Sequence, residues 1–161
     1  MVYELIGKRR KIGKNLHELA IGDSYQETRK VEDRDILLYL GLTDDANPLY
    51  IQHDYASQTP YKRPLVPPTM LIGIASSMIS MHLPGPGCHI LEQHLKYPNP
   101  LYHYSEIDIE LEIIQINEED STIMIQVKGK NGDGTVLDGT FLVSPASKLE
   151  SLTAQSLRNF N

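Results

Sequence analysis

Apolar and polar residues alternate most strictly between Ser105 and Ile116, where Ile107, Ile109, Leu111 and Ile113 stand against Asp108, Glu110 and Glu112. A period of two predicts a strand with one buried face. Cys88 to Tyr97, Ser121 to Lys130 and Thr135 to Ser144 alternate in the same way. Asn117 to Asp120 and Asn131-Gly132-Asp133-Gly134 have turn compositions between them, so the last three strands are expected to form an antiparallel meander closed by Pro145. Tyr25 to Val31 predicts an earlier strand. After it, Ile36, Leu37, Tyr39 and Leu40 are spaced for one helix face, with Glu32 and Asp33 at the favourable N-terminal end and Gly41 as the expected stop. A second helix is predicted from Thr69 to Leu83. It follows Pro67-Pro68, with Thr69 as its cap, and is apolar nearly all round, so most of its faces should be buried.

The segment 42–68 is polar and rich in Asp, Pro and Tyr, and a connection of that length inside a compact domain is usually functional. A short helical piece from Gln52 to Gln58 is expected within it, carrying Tyr55 inward. One buried helix followed by a long antiparallel sheet is an α+β arrangement. With 161 residues and 40% hydrophobic content the chain supports one domain, read as 25–145, with an N-terminal arm 1–24 and a tail 146–161.

Charge narrows the partners. A net charge of −6 disfavours a nucleic-acid surface, and the one basic run, Lys8-Arg9-Arg10-Lys11 with Lys14, reads as a solvated arm. The single Cys88 leaves no internal disulfide and fits a reducing compartment, the cytoplasm. The longest apolar run, Met70 to Leu83, is shorter than the roughly 20 residues a membrane span needs, and the basic N-terminal segment lacks the apolar stretch of a secretory signal. His82, His89, His94 and His103 show no metal-ligand spacing.

The candidate chemistry sits at Asp45-Ala46-Asn47-Pro48-Leu49-Tyr50, followed by Val66-Pro67-Pro68-Thr69 and the apolar helix. This segment resembles the Asp-x-Asn-Pro-x-His signature of the MaoC-like (R)-specific enoyl-CoA hydratases, over roughly residues 25 to 145. The resemblance implies a hotdog fold, a sheet curled around a central helix and usually paired as a dimer. It also implies reversible addition of water to a trans-2-enoyl thioester carried on CoA or an acyl carrier, with no cofactor beyond that thioester. Asp45 takes the place of the family's catalytic Asp, and Asn47 and Pro48 match its Asn-Pro. Tyr50 stands where the catalytic His belongs, and before the central helix, where catalytic relatives commonly carry a His-Gly, this chain has Val66-Pro67-Pro68-Thr69.

Hydration requires a base for the water, an acid for the α-carbon and donors for the thioester oxygen. A tyrosine, with an unperturbed pKa of about 10 against about 6.5 for histidine, is a neutral donor at pH 7 and a poor base. His53 is displaced roughly 5 Å along a helix from Tyr50. The pairing of Asn-Pro-Leu-Tyr with Pro-Pro-Thr resembles the substrate-holding half, or the non-catalytic subunit, of (3R)-hydroxyacyl-thioester dehydratases. In that reading Asn47, Pro67, Pro68 and Thr69 hold substrate while a second hotdog subunit completes the site. A self-sufficient homodimer using Asp45 with Tyr50 or His53, and a non-catalytic acyl-CoA-binding module, remain as alternatives. A hotdog thioesterase ranks behind them, because the central helix offers only Ser76, Ser77 and Ser80.

Overall fold

The four alternating segments become strands β2 (His89–Lys96), β3 (Glu106–Asn117), β4 (Thr122–Asn131) and β5 (Gly134–Ser144) in a computed structural model that describes residues 11–132 and 134–148. With β1 (Ser24–Lys30) they make one antiparallel sheet in the order β1-β3-β4-β5-β2, so β3, β4 and β5 are the expected meander. The period-two pattern is realised on β3, whose Ile107, Ile109, Leu111 and Ile113 are all buried while Asp108, Glu110 and Glu112 face solvent. Ile123, Ile125 and Val127 of β4 and Leu137, Phe141 and Val143 of β5 extend the same apolar face.

Against that face lies the long helix. Four short or medium helices precede or include it: α1 (Asp33–Thr43), α2 (Pro48–Ile51), α3 (His53–Ser57) and α4 (Pro68–Met81). α4 turns Leu71, Ala75, Met78 and Ile79 into the core, the i, i+4, i+7, i+8 spacing of a single helical face. The expectation that most of its faces are buried is corrected here. Thr69, Gly73 and Ser77 lie exposed on the opposite side, because the sheet covers the helix from one side only.

Helix boundaries also differ from the sequence reading, the long helix ending at Met81 and not at Leu83. α1 does not stop at Gly41 but runs to Thr43, where Asp44 adopts a left-handed conformation, φ 55°, and its N–H bonds Leu40 O at 2.9 Å. Aspartate tolerates that region better than most residues, while Gly41 continues the helix at the ordinary cost of a helical glycine. α4 is capped at Pro67 rather than by Thr69, and Pro68 is its first residue. Residues 1–10 of the arm and the tail from residue 149 lie outside the described residues.

The segment between α1 and α4 is tied down from both sides. Leu65 N–H bonds Leu49 O at 3.0 Å, Val66 N–H bonds Leu101 O at 2.8 Å, and Leu65 forms a bridge with Tyr102. The ring of His103, only 15% exposed, reaches Leu65 O at 3.1 Å, and Tyr102 Oη donates to Tyr61 O. The Leu101–Tyr104 corner thus anchors the loop that carries the candidate site.

Candidate active site

Asp45 reaches its position because of how α1 ends. The left-handed Asp44 turns the chain back over the last helical turn, so Asp45 N–H meets Thr43 Oγ1 at 3.2 Å and its carboxylate Oδ2 accepts from Tyr39 Oη at 2.8 Å. Thr43 Oγ1 in turn donates to Tyr39 O at 2.8 Å. Asn47 then caps α2, its side-chain oxygen accepting the Leu49 N–H at 3.0 Å, with Pro48 at the first helical position, where a missing N–H costs nothing. Tyr50 is the third residue of that turn and is half-buried.

The electrostatics join these residues into one cluster. The Tyr39 phenol is raised in pKa, first by burial and then by its hydrogen bond to Asp45, while the Thr69 and Thr43 hydroxyls beside it pull the other way. Tyr50 is raised as well, first by burial and then by the charge of Asp45 and the neighbouring Tyr39, with the Asn47 amide opposing. Tyr39 thus neighbours Asp45, Thr43 and Thr69, and Tyr50 neighbours Asp45, Tyr39 and Asn47. Both phenols stay protonated at neutral pH, and the Tyr39 hydroxyl donates to Asp45.

A raised folded-state pKa means the protonated phenol is favoured in the native state. The corresponding stability is complete below the unfolded value of about 10 and is lost as pH rises through it toward the folded value. Tyrosinate absorbance is accordingly expected to show late-ionising tyrosines in the native protein. Tyr39→Phe should remove part of that late component and leave an earlier-ionising remainder.

The start of α4 is poor in donors. The first four N–H groups of a helix are ordinarily unpaired and open to an anion or a carbonyl oxygen. Here Pro67 and Pro68 have none, and the Met70 N–H is used on Pro67 O at 3.0 Å. The Thr69 N–H remains, with no partner among the described residues.

His53 is not brought into the cluster. Gln52, in extended backbone at φ −115°, ψ 107°, separates α2 from α3, so Tyr50 and His53 stand on different helices, and His53 is exposed. Tyr55 points outward, 51% exposed, and Ala56 takes the buried position of α3. Tyr39 is the residue that sequence reasoning missed, since it occupied an apolar slot in the helical pattern. Its phenol, six residues before an aspartate at a helix end, was the available signal. A cleft of about 590 Å³ lies away from this cluster, between Lys11–Lys14 and the Met81–Pro86 segment.

Residues 20–135 match the family described as FAS1-like, dehydratase domain region. A 3-hydroxyacyl-[acyl-carrier-protein] dehydratase, FERN, of Solanum lycopersicum is 30% identical over 124 residues, covering 75% of this chain and 74% of its own. The R-hydratase PhaJ1 from Pseudomonas aeruginosa superposes with a TM-score of 0.78 at 23% identity, covering 87% of this chain and 94% of that one. The ChsH1-ChsH2 complex from Mycobacterium tuberculosis superposes with a TM-score of 0.71 at 20% identity, covering 78% and 98%. These likenesses give the sheet and α4 the hotdog fold. The chain belongs to the MaoC-like hydratases and dehydratases, through their FAS1-like dehydratase-region family.

Proposed function

We propose that this chain is the substrate-holding unit of an acyl-thioester hydratase/dehydratase, acting on thioesters of CoA or an acyl carrier, and that a second, catalytic hotdog subunit completes it. The observation that carries the proposal is the state of the Asp45 cluster. Asp45 is oriented, but the residue five positions on is a tyrosine held neutral by burial and by Asp45 itself, so among the described residues no base stands beside the carboxylate to accept a proton at pH 7. The double proline at α4 removes donors that would polarise a thioester carbonyl, and leaves the Thr69 N–H to hold a ligand oxygen. Asn47 shapes the turn, and Pro67 and Pro68 stiffen the wall beside it.

Three surfaces support completion by a partner. Leu38 and Leu42, one turn apart on α1, are 67% and 85% exposed. The Thr69, Gly73 and Ser77 side of α4 is bare in the single chain. Strands β1 and β2 are open edges of the sheet, and such edges invite pairing. The ChsH1-ChsH2 likeness is itself a complex. A dimer, with itself or with a catalytic relative, is the assembly this reading implies. The cytoplasm is its compartment, in keeping with a lone Cys88 whose thiol is pushed up by burial.

The purified chain is expected to hydrate crotonyl-CoA far more slowly than about 10 s⁻¹, an ordinary enzyme turnover, and to scatter light as a dimer. Ordinary turnover that disappears in His53→Ala would establish the self-sufficient homodimer instead.

A further inference from the structure

His103 stands between the two stretches of chain that support the candidate site. Its ring is mostly buried in the Leu101–Tyr104 corner, and the corner is fixed on both sides, because Val66 N–H bonds Leu101 O and Tyr104 N–H bonds Val31 O, each at 2.8 Å. Nε2 lies 3.1 Å from Leu65 O. A backbone carbonyl only accepts, so this bond requires the proton of a neutral ring to sit on Nε2. Leu65 in turn donates its N–H to Leu49 O of α2, the helix of Tyr50, and the residues that follow, Val66 and Pro67, lead into α4 and Thr69.

The other ring nitrogen faces α1. Nδ1 lies 3.9 Å from Oδ1 of Asp33, the first residue of that helix, while Asp33 Oδ2 accepts the Tyr104 hydroxyl, which keeps Oδ1 turned to the ring. With Nε2 donating to Leu65, a neutral ring presents a lone pair to the carboxylate. A protonated ring presents an N–H and a positive charge instead. Both contacts are therefore satisfied only in the protonated form. The other charges on the elements around the ring are Glu32, paired with Lys30 of β1 at 3.8 Å, Arg34, paired with Asp35 at 3.7 Å, and, on the loop side, Lys62 and Arg63, whose guanidinium lies 4.0 Å from the centre of the Tyr102 ring. Among the described residues His103 is the one cationic side chain within ion-pair distance of Asp33.

We infer that His103 is a positioning residue that works as a proton-operated clamp on the candidate site. When Nδ1 takes up a proton, the ring ties α1, whose far end carries Tyr39 and turns into Asp45, to the segment 58–67, which is bonded to α2 and delivers Thr69. When Nδ1 loses it, the Asp33 end is released and the bond to Leu65 O alone remains. Histidine is the side chain whose charge ordinarily changes between about pH 5 and 8, so the loop that carries the site is held more firmly on the acidic side of neutrality. The clamp is a property of the backbone around the site and is independent of which ligand the site takes.

Hydrogen exchange followed by NMR on the full chain tests this, with the ring nitrogens of His103 observed on the same samples. At about pH 8 the ring should carry its proton on Nε2, and at about pH 5.5 on both nitrogens. The Leu65 amide reports the tie to α2 and the Val66 amide the tie to the corner. Their protection factors, taken relative to the amide of Val127 in β4, are expected to rise about two- to fivefold from the higher pH to the lower, the worth of an ion pair with one exposed partner. Asp33→Asn keeps an acceptor for the Tyr104 hydroxyl and loses the charge, so it should leave the protection at the higher pH unchanged and abolish the rise. His103→Gln should be equally flat with pH. Should that variant fail to fold, Asp33→Asn decides alone, since the Asp33 side chain is 64% exposed and its replacement leaves the core intact. Protection that is flat with pH in the native chain, a rise that persists in Asp33→Asn, or a neutral ring protonated on Nδ1 overturns the clamp.

Discussion

Tyr50→His is expected to raise crotonyl-CoA hydration by about 10²-fold or more over the unmodified chain, the usual worth of a positioned general acid/base, and only while Asp45 is present. The substitution replaces a phenol that burial and Asp45 keep protonated with an imidazole that can both take and give a proton near pH 7. Little else needs to move, because the turn is fixed independently of residue 50 by the Asn47 cap, Pro48 and the Leu49–Leu65 hydrogen bond. The double variant Tyr50→His with Asp45→Asn should fall back to the starting level. Adding Pro68→Gly to Tyr50→His restores a backbone N–H at the first position of α4, and one oxyanion donor is worth about 10²–10³ in turnover where it is correctly aimed. A Tyr50→His protein that binds acyl-CoA yet gains nothing, with or without Pro68→Gly, would assign the chemistry wholly to a partner subunit.

The second large effect is on the fold. Gly139→Ala should lower stability by about 3 kcal/mol or more, into the range where a single substitution signals a backbone conflict. A Cβ at this position would run into the backbone carbonyl oxygen of His94 and come within 2.9 Å of Leu95 Cα, and the residue sits at φ +155°. His94 and Leu95 belong to β2 and face Thr140 and Gly139 of β5, so neither strand can yield without breaking the pairing. Chemical denaturation should show the loss, and hydrogen exchange should show β2 amides unprotected before those of β3 and β4. Because β2 is also an open edge of the sheet, the variant is expected to weaken self-association as well. A Gly139→Ala protein with native stability would mean that β2 and β5 do not approach as closely as described.

The strands were legible because their signal is local. Each alternating run carries its buried face in its own residues, and Asn117–Asp120 and Asn131–Gly134 mark the turns with side chains that favour them. The long helix was legible for the same reason, although how much of it would be covered was not. An apolar sequence states that a helix seeks burial, but the number of elements available to bury it is a property of the assembled chain. Thr69, Gly73 and Ser77 are left bare because the sheet has only one concave side to offer.

The candidate site divides along the same line. Residues 45 to 50 were recognisable from the sequence since they are contiguous, and the Asn-Pro turn is made by local capping. Asp45, Asn47 and Tyr50 are brought together as expected, while His53, three residues beyond Tyr50, is turned away by one extended residue, Gln52. The amino-acid sequence by itself determined the α+β class, the strand boundaries, the family motif and the substitution of tyrosine for histidine at position 50. Only the tertiary structure decided that Tyr39 holds the Asp45 carboxylate, that Thr69 joins that cluster from another helix, and that two prolines leave α4 with the Thr69 N–H free at its mouth among the described residues. Periodicity and motif are written along the chain, whereas a hydrogen bond between a helix and the loop that folds back over it depends on the left-handed turn at Asp44 and on the anchoring of the loop by Leu101 and Tyr102, which no local pattern encodes.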